Sequence, residues 1–166
     1  MYYIFDGTYP GLLTAVFDSF VRKEFDAIPV LNSPSDLFLD HRIITTDLEK
    51  ATRIQKGLIK NVGSSVAKDF YRAFLSEDPK AWEASIKIQM EIFKGNPSIL
   101  QNFGDDHVLY FAQTLKKVSR ERHRMKAFIR FQKSDDGLYF AVIEPDFNVL
   151  PLIANFLKTV MPINLG

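Results

Sequence analysis

Between Asp78 and Pro97 the chain spells one helix whose two faces are both apolar, and this limits the folds open to everything around it. Asp78-Pro79 is an N-cap followed by a proline in the first helical position, where its missing N–H costs nothing. Gly95-Asn96-Pro97 is a stop, because glycine accepts a left-handed turn and proline cannot continue the ladder. Between these limits Trp82, Ile86, Met90 and Phe93 recur at helical spacing as one stripe, and Ile88 and Ile92 form a second. A helix apolar on two sides is packed on two sides. The flanking sequence must supply both covers.

It offers more helices than strands. Residues 2–5 read as a short strand, aromatic and β-branched, stopped by Asp6-Gly7. Thr8 caps a helix that admits Pro10 in its first turn and carries Leu12, Leu13, Val16, Phe17 and Phe20. Residues 26–40 hold Pro29 and Pro34 and read as irregular, with short extended pieces at 29–32 and 36–39. Residues 42–45 are expected as a second strand. Thr46-Asp47-Leu48-Glu49 has the pattern of a capping box with Thr46 as the cap. The helix behind it runs through Leu48, Ala51, Ile54, Leu58 and Val62 to Gly63, and another follows with Val66, Phe70, Ala73 and Phe74. A further helix starts at Asp105 or Asp106 and continues through Val108, Phe111, Ala112 and Leu115. Residues 127–132 alternate as a strand, Asp135-Asp136-Gly137 turns the chain, and 138–143 is the expected hairpin partner. Glu144-Pro145-Asp146 breaks it, and residues 149–159 read as a last helix. This order predicts an α+β fold: a single domain over residues 1–166, with several helices packed on a small, mostly antiparallel sheet.

Composition closes off several kinds of chemistry. The 166 residues contain no cysteine, so disulfides, thiolate zinc sites, cysteine nucleophiles and cysteine-ligated iron–sulfur clusters are excluded within this chain. Fifteen phenylalanines imply a core of large aromatics, Tyr2, Tyr3 and Phe5 among them. The N-terminus lacks a basic region followed by an apolar run, and no apolar stretch approaches the roughly 18 residues of a membrane span. A soluble, cytoplasmic protein with no membrane partner is expected.

Positive charge is concentrated in one place. From Lys116 to Lys133 eight cations face one acid, Glu121, in a chain whose net charge is only +1. Lys116, Arg120 and Arg124 lie on one helical stripe, with Lys117, Arg122 and His123 beside them. Lys126, Phe128, Arg130 and Gln132 would share one face of the following strand. Guanidinium groups beside an aromatic ring suit phosphate contacts combined with base stacking, so these cations are the candidate nucleic-acid site. The plainer alternative is a solvated face with ion pairs to Glu144, Asp146 or other acids.

Other chemistry is weaker. His41, His107 and His123 have no metal-ligand spacing, and no metal or cofactor is expected. Asp105-Asp106-His107 reads as a helix start, with carboxylates complementing the dipole. Gly7 and Gly11 read as a turn rather than an anion cradle. There is no G-x-S-x-G, no P-loop and no G-x-G-x-x-G. No catalytic residue is assigned; His123 and Glu144 are the pair able to do acid/base work if they converge.

Three segments together resemble one bacterial family: the first twenty residues, MYYIFDGTYPGLLTAVFDSF; ERHRMKAFIRF at 121–131; and YFAVIEPDFNVLPLIA at 139–154. That family, of unknown function, is placed in DNA metabolism beside a radical-SAM protein, or fused to a uracil-DNA-glycosylase-like domain. The resemblance implies signature positions at Asp6, Gly7, Arg122, His123, Arg124, Met125, Phe128, Arg130, Glu144, Pro145 and Asn148, none with a catalytic role. Family members generally continue past the Asn-Val-Leu-Pro motif and this chain stops at Gly166, so a truncated or shortened member is expected. The combined expectation is a non-catalytic accessory domain in DNA repair or modification. It would bind DNA or another nucleic acid and work with a radical-SAM or glycosylase partner. The alternatives are an enzyme acting on nucleic acid through His123 and Glu144, and a module whose basic face meets an acidic protein.

Overall fold

The computed structural model describes residues 1–35 and 38–128, together with Gln132–Lys133, Tyr139–Phe140 and Pro151. In chain order the elements are β1 (Tyr2–Ile4), α1 (Tyr9–Arg22), β2 (Ile28–Val30), β3 (His41–Ile43), α2 (Leu48–Phe74), α3 (Pro79–Phe93), a 3-10 turn (Pro97–Gln101), α4 (Asp106–Phe128), β4 (Gln132–Lys133) and β5 (Tyr139–Phe140). No described helix is long and apolar enough to cross a membrane.

α3 is the helix the sequence singled out, and it is covered on both sides. Trp82, Ile86 and Met90 from one stripe and Ile88 and Ile92 from the other are all buried. Even Gln89 and Ser85 are buried, Gln89 donating its amide to the Ser85 hydroxyl at 3.1 Å. α2 and α4 pack against α3, and α1 and β2 reach it as well. Trp82 meets Phe5 edge-to-face at 5.3 Å, stacks on Phe74 at 5.9 Å, and donates its indole N–H to the Phe74 carbonyl at 3.1 Å. The helix thus joins β1 to the end of α2. Asp78 caps it by accepting from the Lys80 N–H at 2.9 Å. The Tyr110 hydroxyl of α4 donates to the other Asp78 oxygen, and that hydrogen bond, with burial adding to it, pushes the phenol up to about 12.

The sheet corrects the expected topology. Its three strands run in the order β2-β1-β3 and all pair in parallel, so a mostly antiparallel sheet is overturned. The cause is the connection. α1 carries the chain back to the starting end of β1, so β2 enters in the same direction, as in any strand–helix–strand crossover. A second return between Val30 and His41 brings β3 in parallel on the other side of β1. Antiparallel pairing among the described residues is confined to β4 and β5, in the register Gln132 to Phe140 and Lys133 to Tyr139. The extended piece expected at 29–32 is displaced to β2, and the strand expected at 42–45 to β3.

Two further differences have local causes. The box at residues 46–49 does not use Thr46 as the cap: Asp47 caps α2, accepting from the Glu49 and Lys50 N–H groups at 2.9 and 3.1 Å. Thr46 donates its hydroxyl to Asp6 at 2.6 Å instead. Asp6 also accepts from the Thr8 N–H and hydroxyl, at 2.9 and 2.6 Å, so one carboxylate ties the end of β1 to the starts of α1 and α2. Burial opposes the charge, yet the Thr46 and Thr8 hydrogen bonds prevail and hold the carboxyl below its usual range. Residue 11 must be glycine here, since a Cβ would lie 2.2 Å from the carboxylate oxygen. The second difference is that α4 runs to Phe128, which makes Lys126 and Phe128 helical rather than members of a strand face. No glycine or proline interrupts residues 106–128, so nothing stops the helix earlier. Gly63 does break the helical conformation, with φ 87° and ψ 163°, and kinks α2 where a helix boundary was expected.

Under the sheet Tyr3 is fully buried and its hydroxyl donates to Glu24, whose carboxylate also takes the Arg42 guanidinium at 2.8 and 2.9 Å through Nε. The Arg42 hydrogen bonds, outweighing desolvation and helped by Tyr3, hold the Glu24 carboxyl at about 2. A carboxylate depressed in the folded state stabilises it above the unfolded value and loses that contribution as pH falls toward the folded one. Stability is therefore expected to decline from about pH 4.5 toward about pH 2 in step with Glu24. Urea denaturation of the wild type and Glu24→Gln across that window should show a shallower decline in the variant. A second expectation concerns α3. Trp82→Ala should destabilise the fold by about 3–5 kcal/mol, the usual cost of deleting a buried large aromatic. A loss below about half that range in chemical denaturation would contradict the central place given to this side chain.

Candidate nucleic-acid interface

One face of α4 is apolar and holds the helix to the body. Val108, Phe111 and Val118 are buried, and Phe111 tilts against Phe70 of α2 with ring centroids 5.0 Å apart. The helix starts on Asp105, whose carboxylate accepts from the His107 and Val108 N–H groups at 2.9 and 3.1 Å. The acidic cluster before it is thus a cap, as read from the sequence. No group of three His, Cys, Asp or Glu among the described residues could hold a metal ion.

With that face turned inward, Lys116, Lys117, Arg120, His123 and Arg124 are exposed, and Arg122 and Lys126 are half-buried. The stripe of Lys116, Arg120 and Arg124 therefore lies on the surface along three successive turns. Among the described residues no carboxylate lies within 4.0 Å of Lys116, Lys117, Arg120 or Arg122. Arg124 differs. It embraces Glu121, with Nη2 at 2.8 and 2.9 Å from the two carboxylate oxygens and Nε at 3.1 Å. Glu121 is itself 5% exposed, so the one acid of the segment is drawn under the helix and Arg124 covers it. For this pair the plainer expectation, a structural ion pair, is what the geometry presents. Arg130, Glu144 and Asp146 lie outside the described residues. So do the convergence of His123 with Glu144 and the strand face that was to carry Arg130.

Beside the stripe is a cleft of about 300 Å³ between α2 and α4. Arg72 and Asp69 line it from α2, and Lys116, Ser119 and Arg122 line it from α4 over a floor of Leu115 and Val118. Arg72 donates to Asp69 at 2.8 Å, which leaves Lys116 and Arg122 as the cations of the cleft without a carboxylate partner among the described residues. Cationic walls, a hydroxyl and an apolar floor suit an anionic oxygen ligand. Arg72, Asp69 and Ser119 were not singled out in the sequence. Asp69 and Arg72 read there as an ordinary helical pair at three-residue spacing, and nothing local shows which helix they face.

A second pocket, of about 220 Å³, lies between α3 and the start of α4. Lys87 lines it and donates to the Phe25 carbonyl at 2.6 Å, and burial lowers its ammonium from the usual lysine range. Lys94 and Glu91, paired at 3.2 Å, and Asp105 line it too, so its charges nearly cancel. It has no preference of sign to match the α2–α4 cleft.

Residues 79–164 match a domain of unknown function, the family DUF4130. The match covers just over half of the chain and includes α3, α4 and the candidate interface, and the chain belongs to this family. No curated protein and no solved structure matches the chain.

Proposed function

We propose that this member of the DUF4130 family is an accessory domain of DNA metabolism that binds nucleic acid along α4. In this reading Lys116, Lys117 and Arg120 contact phosphates on the outer face, and Arg122 and Lys116 hold one at the cleft beside Arg72. The observation that carries the reading is the exposure of Lys116, Lys117 and Arg120 with no acid against them among the described residues, when the segment's one acid, Glu121, is buried beneath Arg124. A solvated face with structural ion pairs would have spent its charge locally. This one keeps it available.

Such contacts position a nucleic acid without reading bases. A domain that does only this presents the strand to another protein. The sequence resemblance supplies the kind of partner, a radical-SAM enzyme or a uracil-DNA-glycosylase-like domain, and the setting of DNA repair or modification. His123 stands exposed on the same helix and would face the bound strand. It is not assigned a catalytic role.

The test uses fluorescence anisotropy with single- and double-stranded DNA over a salt series. Binding should weaken with salt, at about 0.9 log units per log unit for each phosphate neutralised on a duplex. Lys116→Ala with Arg120→Ala should lower affinity about equally for unrelated sequences and flatten the slope by about 1–2. Arg124→Ala is a poorer choice, because it also strips a partner from the buried Glu121 and mixes stability with binding. No binding to either form at low salt would overturn the proposal. So would binding whose salt slope the double variant leaves unchanged. Salt-sensitive binding to an acidic protein with none to DNA would favour the protein-interaction reading.

A further inference from the structure

Two rows of side chains diverge from Lys116 along α4. One is spaced by four residues, Lys116, Arg120 and Arg124, and forms the exposed stripe. The other is spaced by three, Lys116, Ser119 and Arg122, and lines the cleft between α2 and α4. A step of four overshoots one helical turn and a step of three falls short of it, so the rows drift to opposite sides of the helix. Lys116 belongs to both. A chain of phosphates lying along the outer cations therefore reaches the cleft at this residue.

The cleft differs from the outer face in form and in charge. It is a recess of about 300 Å³ walled by two helices, with Val118 buried in its floor. Three cations, Arg72, Lys116 and Arg122, line it against one carboxylate, Asp69, a surplus of two positive charges. Asp69 is engaged by Arg72 at 2.8 Å, and among the described residues no carboxylate lies within 4.0 Å of Lys116 or Arg122. An internal phosphate of a strand carries a single negative charge and continues into sugar on both sides. A terminal phosphate monoester carries about −1.5 to −2 at pH 7, offers three acceptor oxygens, and is tethered on one side only. The surplus of two charges matches the terminal group. An ammonium, a guanidinium fork and the Ser119 hydroxyl supply donors for its three oxygens. A recess with α2 as its far wall also suits a group held by one arm better than a chain that must enter and leave.

We propose that the α2–α4 cleft takes the terminal phosphate monoester of a nucleic-acid strand whose adjoining phosphates lie along the outer face of α4, an assignment that rests on the nucleic-acid reading of this helix. Lys116 bridges the last two phosphates, Arg122 and Arg72 hold the end group from its two sides, and Ser119 donates its hydroxyl between them. The domain then binds the ends of strands in preference to their interiors.

Fluorescence anisotropy on the whole chain tests this with one single-stranded DNA sequence prepared in three forms. Its end carries a phosphate, a hydroxyl, or a phosphate capped as the methyl diester, and the set is made for the 5′ and for the 3′ end. At one end the phosphorylated strand should bind about tenfold tighter or more than the hydroxyl form, the effect of one or two charge-assisted hydrogen bonds. The methyl-capped strand keeps the size and loses one charge, and should fall back toward the hydroxyl form. Arg122→Gln should bring the ratio between the phosphate and hydroxyl forms close to unity. Arg120→Gln, on the outer row, should weaken both forms and leave their ratio in place. If Arg122→Gln does not fold, Ser119→Glu at an exposed position sets a carboxylate in the cleft and should abolish the ratio equally. Equal affinity for all three forms at both ends overturns the inference and leaves nucleic-acid binding along α4 standing; no binding of any strand overturns both. A preference that a folded cleft variant retains also overturns it. So does a nucleoside monophosphate that binds as tightly as the phosphorylated strand, since the outer row then adds nothing.

Discussion

The burial of α3 on both faces is the constraint from which the rest of the molecule follows. Ile86, Ile88, Met90 and Ile92 point to opposite sides of one helix and are all withdrawn from water. Burying a side chain of this kind is worth about 1.5–3 kcal/mol, so neither face can be left open without losing much of a domain's net stability. α2, α4, α1 and β2 between them provide the cover. The buried polar side chains on the helix are satisfied in part: Gln89 donates its amide N–H to the Ser85 hydroxyl, while the Gln89 amide oxygen has no partner among the described residues. α4 then has a dictated orientation. With Val108, Phe111 and Val118 committed to the interior, the stripe of Lys116, Arg120 and Arg124 faces outward.

At the other end of the molecule, Asp6 organises the junction between sheet and helices. Both helices that follow parallel strands begin near it, α1 through Thr8 and α2 through Thr46. Helix N–H groups are satisfied by Thr8 in α1 and by Asp47 in α2, so Asp6 holds the cap of α1 and the residue before the cap of α2 rather than the helix ends themselves. The close approach of α1 to this carboxylate is what excludes a side chain at residue 11.

How much of this could be read from the sequence depends on how far apart the interacting residues lie. The α3 limits, the stripes, the Asp105 cap and the Gly63 break were legible, because each is a contest between residues within a few positions of one another. The cap at residues 46–49 was misread for the opposite reason. Thr46 and Asp47 are both good caps, and the choice between them is made by Asp6, forty residues away. Sheet direction failed similarly, since three-residue strands carry no pattern that distinguishes parallel from antiparallel, and the paths of the two connections decide it. For the candidate interface, the exposed stripe was legible from period alone. The cleft was not, because Arg72 and Lys116 meet through the packing of α2 on α4. Glu121 was visible as the segment's one acid, yet its burial depends on the same packing.

The placement of charge on α4 has its own physical logic. Crowding Lys116, Lys117, Arg120, Arg122, Arg124 and Lys126 onto three turns costs stability through mutual repulsion. Two features offset the cost. Lys126 lies in the last turn of the helix, where the backbone dipole presents partial negative charge. Glu121 adds a full negative charge beneath them, held by Arg124 and shielded from solvent. A surface acid in its place would neutralise one neighbour and weaken the field seen from outside. A buried one, capped by a single arginine, lets the helix tolerate its cations while leaving Lys116, Lys117 and Arg120 turned to solvent. The same helix can thus be stable as part of the core and still present positive charge to solvent.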